Sequence, residues 1–193
     1  MTAKEEAEQA ALHARLAAAM VGDAKPSSGP IVLVAYDAEW PRLFAREAER
    51  VRCALGDRAR VLEHAGSTSV PGLSAKPVID IVVAVDDSRD EPSYVPPLQA
   101  AGYVLKIREP AWFEHRLFKG PDTDINMHVF TVGCAEIARM LRFRDRLRAD
   151  DADRGLYERT KRELAKREWK YVQAYADAKG KVVEEIIARA MAR

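Results

Sequence analysis

Hydrophobic positions follow two rhythms along this chain. Through the first two thirds they come in short runs, many of them β-branched, separated by Pro, Gly and polar turns; in the last third they recur at helical spacing. Short β-branched runs fit strands, and recurrence at three and four residues fits amphipathic helices. The pattern predicts strands at 60–65, 77–85, 103–108, 113–118 and 124–131, and a strand or extended segment at 31–36. The run PVIDIVVAV (77–85) is nearly unbroken, which marks a strand buried on both faces. Helices are predicted over 3–20, over 37–55, over the segment PPLQAAGY closing at Gly102, and throughout the chain from Ala135. Asp37 is expected as an N-cap with Pro41 in the first turn, and Gly56 and Gly102 as stops. Leu12, Leu16 and Met20 repeat every four residues and leave the first helix a narrow apolar stripe.

The stretch GDAKPSSGP (22–30) breaks both rhythms and reads as a linker. The chain therefore divides into an N-terminal helical arm with its linker, residues 1–30, and one domain of residues 31–193. The arm's stripe packs either on its own domain or on a second copy, so a homo-oligomer through the arm is one expectation. A length of 193 residues with 48% hydrophobic and 32% charged residues supports one folded domain. The formal charge of +1 leaves no global field to draw nucleic acid or a membrane surface. No apolar run approaches membrane-spanning length, and Glu5, Glu6 and Glu8 stand where a signal peptide would carry cations. These features predict a cytoplasmic protein without membrane or nucleic-acid partners. Cys53 and Cys134 are expected as reduced, buried thiols, and Trp40, Trp112 and Phe113 as core residues.

Candidate chemistry concentrates in HAGSTSVPGLSAKPVIDIVVAV (64–85). Ser67, Thr68 and Ser69 follow Gly66, as a polar turn capping a strand or as a ligand loop. Lys76 precedes Pro77 and so lies in an extended loop, either solvated or aimed at a phosphate. Asp80 sits mid-strand among Val and Ile. A carboxylate there needs Lys76 or an arginine as partner, or has a role in a site. Asn126 and His128 share one face of a later strand. On the helix from Glu136 to Arg148, Ile137, Met140, Leu141, Phe143 and Leu147 fall in one sector at 100° per residue. Arg139, Arg142 and Arg146 fall opposite, as solvated charges, while Arg144 and Arg148 fall inside the apolar sector. In the next helix Tyr157, Leu164, Tyr171 and Tyr175 define a face that includes Lys161. Inward cations need anionic partners: Asp80, another internal carboxylate such as Glu168 beside Lys161, or a bound phosphate. The chain has no GxxxxGK[ST], GxGxxG or GxSxG motif, and its cysteines lack the spacing of a zinc site.

The strings VLEHAGSTSVPGLSAKPVIDIVVAV (61–85), FRDRLRAD (143–150) and YERTKRELA (157–165) resemble the GrpB family, members of which also occur fused behind dephospho-CoA kinase in some bacteria. The resemblance runs from about Tyr36 to the C-terminus. It implies an α/β (α+β) architecture of nucleotidyltransferase-like fold: a mixed sheet flanked by helices, here with a helical C-terminal subdomain and the N-terminal arm. On that template Gly66, Ser67, Thr68 and Ser69 would hold phosphates. Lys76, Arg144, Arg148 and Lys161 would neutralise charge, and Asp80 would hold Mg²⁺ or act as a base assisted by His128. The chain departs from the template two residues after Asp80, where Val82 replaces a second carboxylate, and on the third strand, where Asn126 and His128 stand. One carboxylate carries too little charge for a Mg²⁺ pair. Two readings follow. One is a protein that binds a nucleotide or other phosphorylated small molecule and transfers a nucleotidyl group. The other is a non-catalytic nucleotide- or CoA-binding or interaction module that has lost the metal-binding carboxylates.

Overall fold

The unbroken apolar run becomes the central strand of a mixed sheet. In the computed structural model, which describes residues 3–23 and 25–191, β2 (Ile79–Val85) pairs antiparallel with β1 (Val61–Ala65) and parallel with β5 (Ile125–Thr131). β4 (His115–Lys119) and β3 (Val104–Glu109) extend the sheet antiparallel beyond β5, giving the order β1-β2-β5-β4-β3. Val82, Val83 and Ala84 are fully buried, as expected of a strand covered on both faces. The segment 31–36 is extended but joins the sheet by a single bridge, Val34 to Ala75.

One face of the sheet is covered by α2 (Trp40–Leu55) and α3 (Glu91–Ala100). Trp40, Val51 and Leu55 with Tyr94 and Leu98 interlock with Ile79, Ile81, Val83, Met127 and Val129. α2 carries Pro41 in its first turn and stops at Gly56, whose φ is 55°. Its N-cap is Glu39 rather than Asp37; Asp37 Oδ1 accepts the Glu39 N–H at 2.9 Å and shapes the turn before the helix. α3 starts earlier than predicted and holds Pro96 and Pro97 in its interior, where proline costs backbone hydrogen bonds. Burial of Tyr94, Val95 and Leu98 offsets that cost, and the Tyr94 hydroxyl donates to the Ser88 carbonyl at 2.6 Å.

The other face is covered at the β1–β2 end by α4 (Ala135–Ala149). Ile137, Met140 and Leu141 pack on Ala65, Val82, Ala84 and Phe130. α5 (Asp151–Ala165), α6 (Val172–Ala178) and α7 (Gly180–Met191) complete the helical third. The single helix expected through Tyr157, Leu164, Tyr171 and Tyr175 is broken: α5 ends at Ala165 and Tyr171 is the N-cap of α6. Trp169 closes the break by donating Nε1–H to the Leu164 carbonyl at 2.8 Å. Arg146 is not solvated as predicted. Its Nε donates to Asp153 at 2.6 Å while Arg189 Nε donates to the same carboxylate at 2.9 Å, so α4, α5 and α7 share one ionic joint.

α1 (Ala3–Ala19) packs against its own domain. Met20 bridges Ile107, Val21 N–H donates to the Lys106 carbonyl at 3.0 Å, and Arg15 pairs with Asp177 at 3.0 Å. The predicted architecture, a mixed sheet flanked by helices with a helical C-terminal part and an N-terminal arm, is the one observed. Among the described residues no helix is long and apolar enough to cross a membrane. Cys53 is exposed and Cys134 half-buried, so the expectation of two buried thiols fails. Trp40 is in the core, but Trp112 and Phe113, which lie in the turn joining β3 to β4, where Phe113 has φ 54°, remain 40% and 48% exposed.

Candidate functional site

The site is built where β1 turns back toward β2. Ala65, the last residue of β1, pairs with Asp80, so the next residue passes directly over the Asp80 side chain. That residue is Gly66, with φ 65°, and a Cβ there would come within 2.9 Å of the Asp80 Cβ. Backbone angle and space both demand glycine. Ser67–Ser69 then form one turn of 3₁₀ helix, and their hydroxyls divide by role. Thr68 Oγ1 donates to the Val78 carbonyl at 3.2 Å and meets His64 Nε2 at 3.1 Å; Ser69 Oγ donates to the Gly66 carbonyl at 2.6 Å. Both are buried and hold the turn itself. Ser67 Oγ points the other way and accepts from Lys161 Nζ at 3.1 Å.

Lys161 is 2% exposed. Its ammonium also donates to the Ser74 carbonyl and sits 4.9 Å from the centre of the Tyr157 ring. Glu168, the expected internal partner, is not in contact with it. Burial, reinforced by the charge of Lys179, brings the Lys161 pKa down to about 7. Lys76 is likewise held below the ordinary lysine range, by burial first and then by Lys179. Lys179 lies at the junction of α6 and α7, with its Nζ 4.7 Å over the Tyr175 ring. Among the described residues none of these three lysines forms an ion pair.

Asp80 stands beside them with its side chain 28% exposed. Burial pushes its carboxyl up, but His128 when it carries its second proton, Asn126 and Lys179 together outweigh this and hold it below the usual carboxylate range. Asn126 Nδ2 donates to Asp80 Oδ1 at 3.0 Å, and His128 Nε2 lies 3.8 Å from the same oxygen. From His128 a chain of contacts crosses the sheet. His128 Nδ1 meets His115 Nε2 at 3.0 Å, and His115 Nδ1 meets Glu109 Oε2 at 2.8 Å. Burial lowers the His115 pKa to about 4, and the hydrogen bond from His115 keeps the Glu109 carboxyl low.

Arg144 and Arg148 do not join this cluster. Arg144 Nη1 donates to Glu63 Oε2 at 2.7 Å and to the His64 carbonyl at 2.9 Å; Arg148 donates twice to the Ser69 carbonyl, at 3.0 and 2.8 Å. Both line a separate cavity of about 540 Å³ on the outer side of β1, with Tyr36, Phe44, His64 and Ser69. The convergence expected from the helical wheel is thus divided. Gly66, Ser67, Lys76, Asp80, His128 and Lys161 come together, Thr68 and Ser69 form the back of the loop, and Arg144 and Arg148 brace that loop from behind. Lys179, His115 and Glu109 were not foreseen. Each lies far along the chain from the GSTS string and reaches the cluster only through sheet register or the α6–α7 bend.

The GrpB protein family model matches residues 30–189, the whole of the sheet and all of this cluster. The chain belongs to the GrpB family. A UPF0157 protein of Halalkalibacterium halodurans is 61% identical over 172 residues, covering 89% of this chain and 88% of that one. The crystal structure of conserved protein GrpB from Enterococcus faecalis is similar with a TM-score of 0.69 at 29% identity, over 82% of this chain and 96% of that chain. A dephospho-CoA kinase of Mycolicibacterium paratuberculosis is 32% identical over 176 residues, which span 78% of this chain but 43% of the kinase.

In this GrpB-family chain the cluster does not fit Mg²⁺. Val82, at the second carboxylate position, is fully buried among Ala65, Ala84 and Phe130. At the third position Asn126 turns an N–H donor onto Asp80 Oδ1, the kind of oxygen a metal would need. Among the described residues no group of three His, Cys, Asp or Glu could hold a metal ion. The donor set is a single carboxylate, and hard divalent cations require several oxygens.

Proposed function

We propose that the protein binds a nucleotide or another phosphorylated small molecule over Gly66 and Ser67, without a divalent cation. The observation that carries this is the crowding of Lys76, Lys161 and Lys179 around one loop, with no ion pair for any of them among the described residues. Like charges brought together at the expense of their own basicity are stabilised by an anion between them. Ser67 Oγ, held by Lys161, adds a hydroxyl to the same place. The similarity to a dephospho-CoA kinase adds CoA-type phosphoesters to the ligands worth testing. Arg144 and Arg148 are excluded from the binding group, since Glu63 and the Ser69 carbonyl already occupy them.

The test is thermal melting of the full chain against ATP, CoA, dephospho-CoA and pyrophosphate, each in EDTA and in Mg²⁺. A ligand at a hundred times its Kd stabilises by about 2.7 kcal/mol, which melting resolves. We expect at least one phosphate compound to raise Tm in EDTA, and Lys161→Met or Lys179→Ala to shrink the shift at least tenfold in apparent affinity. No shift at millimolar ligand, or a shift that these variants leave intact, would remove the proposal. A shift seen only with Mg²⁺ would favour metal-dependent transfer instead.

A further inference from the structure

His128 faces Asp80, and the side chains behind it decide which of its nitrogens carries a proton. A carboxylate only accepts hydrogen bonds, so the 2.8 Å contact to Glu109 requires the proton on His115 Nδ1. His115 is 3% exposed, packed against Trp112 and Phe130 and followed directly by Arg116. A second proton on that ring would bury an imidazolium, so Nε2 of His115 is left as an acceptor. The 3.0 Å contact to His128 then requires the proton on His128 Nδ1. A neutral His128 has no further proton, and its Nε2 carries a bare lone pair. At 3.8 Å from Asp80 Oδ1, Nε2 is beyond hydrogen-bonding distance of that carboxylate and stays open to a ligand.

We infer that Glu109 and His115 are positioning residues that lock His128 in the Nδ1-protonated tautomer, so that Nε2 accepts a hydrogen bond from a hydroxyl group of the bound ligand. The geometry is that of a base oriented by a second group behind it, extended by one further ring. Glu109 reaches the site from β3 through β4 to β5, a path set by sheet register. The part played by a ligand hydroxyl rests on the phosphate-site reading; the tautomer does not.

The experiment is a two-bond ¹H–¹⁵N correlation spectrum of the full chain labelled with ¹⁵N-histidine, near pH 7.5. The chain has four histidines, and His128→Gln identifies one ring by its disappearance. We expect His128 to show a protonated Nδ1 and an unprotonated Nε2. Glu109→Gln, and His115→Phe as a shape-preserving second variant, should both move His128 toward the Nε2-protonated tautomer, with circular dichroism showing the fold intact. A protonated Nε2 in the unmodified protein overturns the inference, as does a His128 pattern unchanged in the folded variants. Addition of ATP or dephospho-CoA separates the two readings. A melting shift with no change at His128 Nε2 removes the hydroxyl contact and leaves the phosphate site standing. The native tautomer with no melting shift removes the phosphate site and the hydroxyl contact, and leaves the positioning role.

Discussion

Lys161 illustrates at residue scale how burial and charge decide a role. Its ammonium is enclosed by Ser67, the Ser74 carbonyl and the Tyr157 ring, with no carboxylate bonded to it among the described residues. In the unfolded chain a lysine titrates near 10.4; in the fold Lys161 titrates near 7. Between these values the unfolded state holds a proton that the native state does not, so this group makes stability rise with pH from about 7 to about 10. Lys161→Met should flatten that rise, read as the difference in urea midpoint between pH 7 and pH 9.5. Gly66 is the complementary case, where the absence of a side chain matters. Gly66→Ala combines a left-handed φ with a clash against Asp80 and should cost about 3 kcal/mol or more, measured by urea unfolding.

At the scale of elements, ion pairs fix how the helical third meets the sheet. Asp153 on α5 takes hydrogen bonds from Arg146 on α4 and Arg189 on α7. Burial pushes its carboxyl up, but the two arginines outweigh this and hold it low. Its contribution is therefore present above the ordinary aspartate pKa and is lost as pH falls through the depressed folded value. Asp153→Asn should lower stability at pH 7 by about 3 kcal/mol and narrow the gap to the unmodified protein in strong acid. Arg144 ties α4 to β1 through Glu63 and the His64 carbonyl. Arg144→Ala should cost about 2 kcal/mol of stability while leaving the affinity for phosphate ligands unchanged, by melting with and without ligand.

At the scale of the whole molecule, the arm and the sheet form separate layers of the same chain. The arm touches β3 through the Met20–Ile107 bridge just after α1, and α6 through Arg15 and Asp177, and the family match begins only at residue 30. Leu16 of the apolar stripe is 9% exposed, so part of that stripe is already used inside the chain. Deleting residues 1–22 should lower Tm by several degrees, keep the cluster's ligand response, and leave the molecular mass per particle at one chain by light scattering. A mass that falls by half on deletion would instead show that the arm holds two copies together.

What the chain's sequence determined by itself was whatever depends on near neighbours. The five strands, the first-turn proline of α2 and its stop at Gly56 follow from apolar periodicity and from Pro and Gly placement, which act within one turn or one strand, while its N-cap fell at Glu39 instead of Asp37. Gly66, Ser67 and Asp80 were legible together because they lie within one contiguous string. The helical wheel correctly turned Arg144 inward, since rotation about a helix axis is local, but Arg148, expected on the same face, keeps a side chain 40% exposed. Which neighbour they would meet was not local, and they face β1 and the back of the loop instead of Asp80. The helix through Tyr171 failed for a related reason: apolar spacing continued past Ala165, and only the Trp169 contact to Leu164 shows the chain turning. Lys179, His115 and Glu109 were decided by tertiary structure alone. A shift of one residue in strand pairing would place His115 on the opposite face, and nothing within His115's own neighbourhood in sequence states that it lies beside His128.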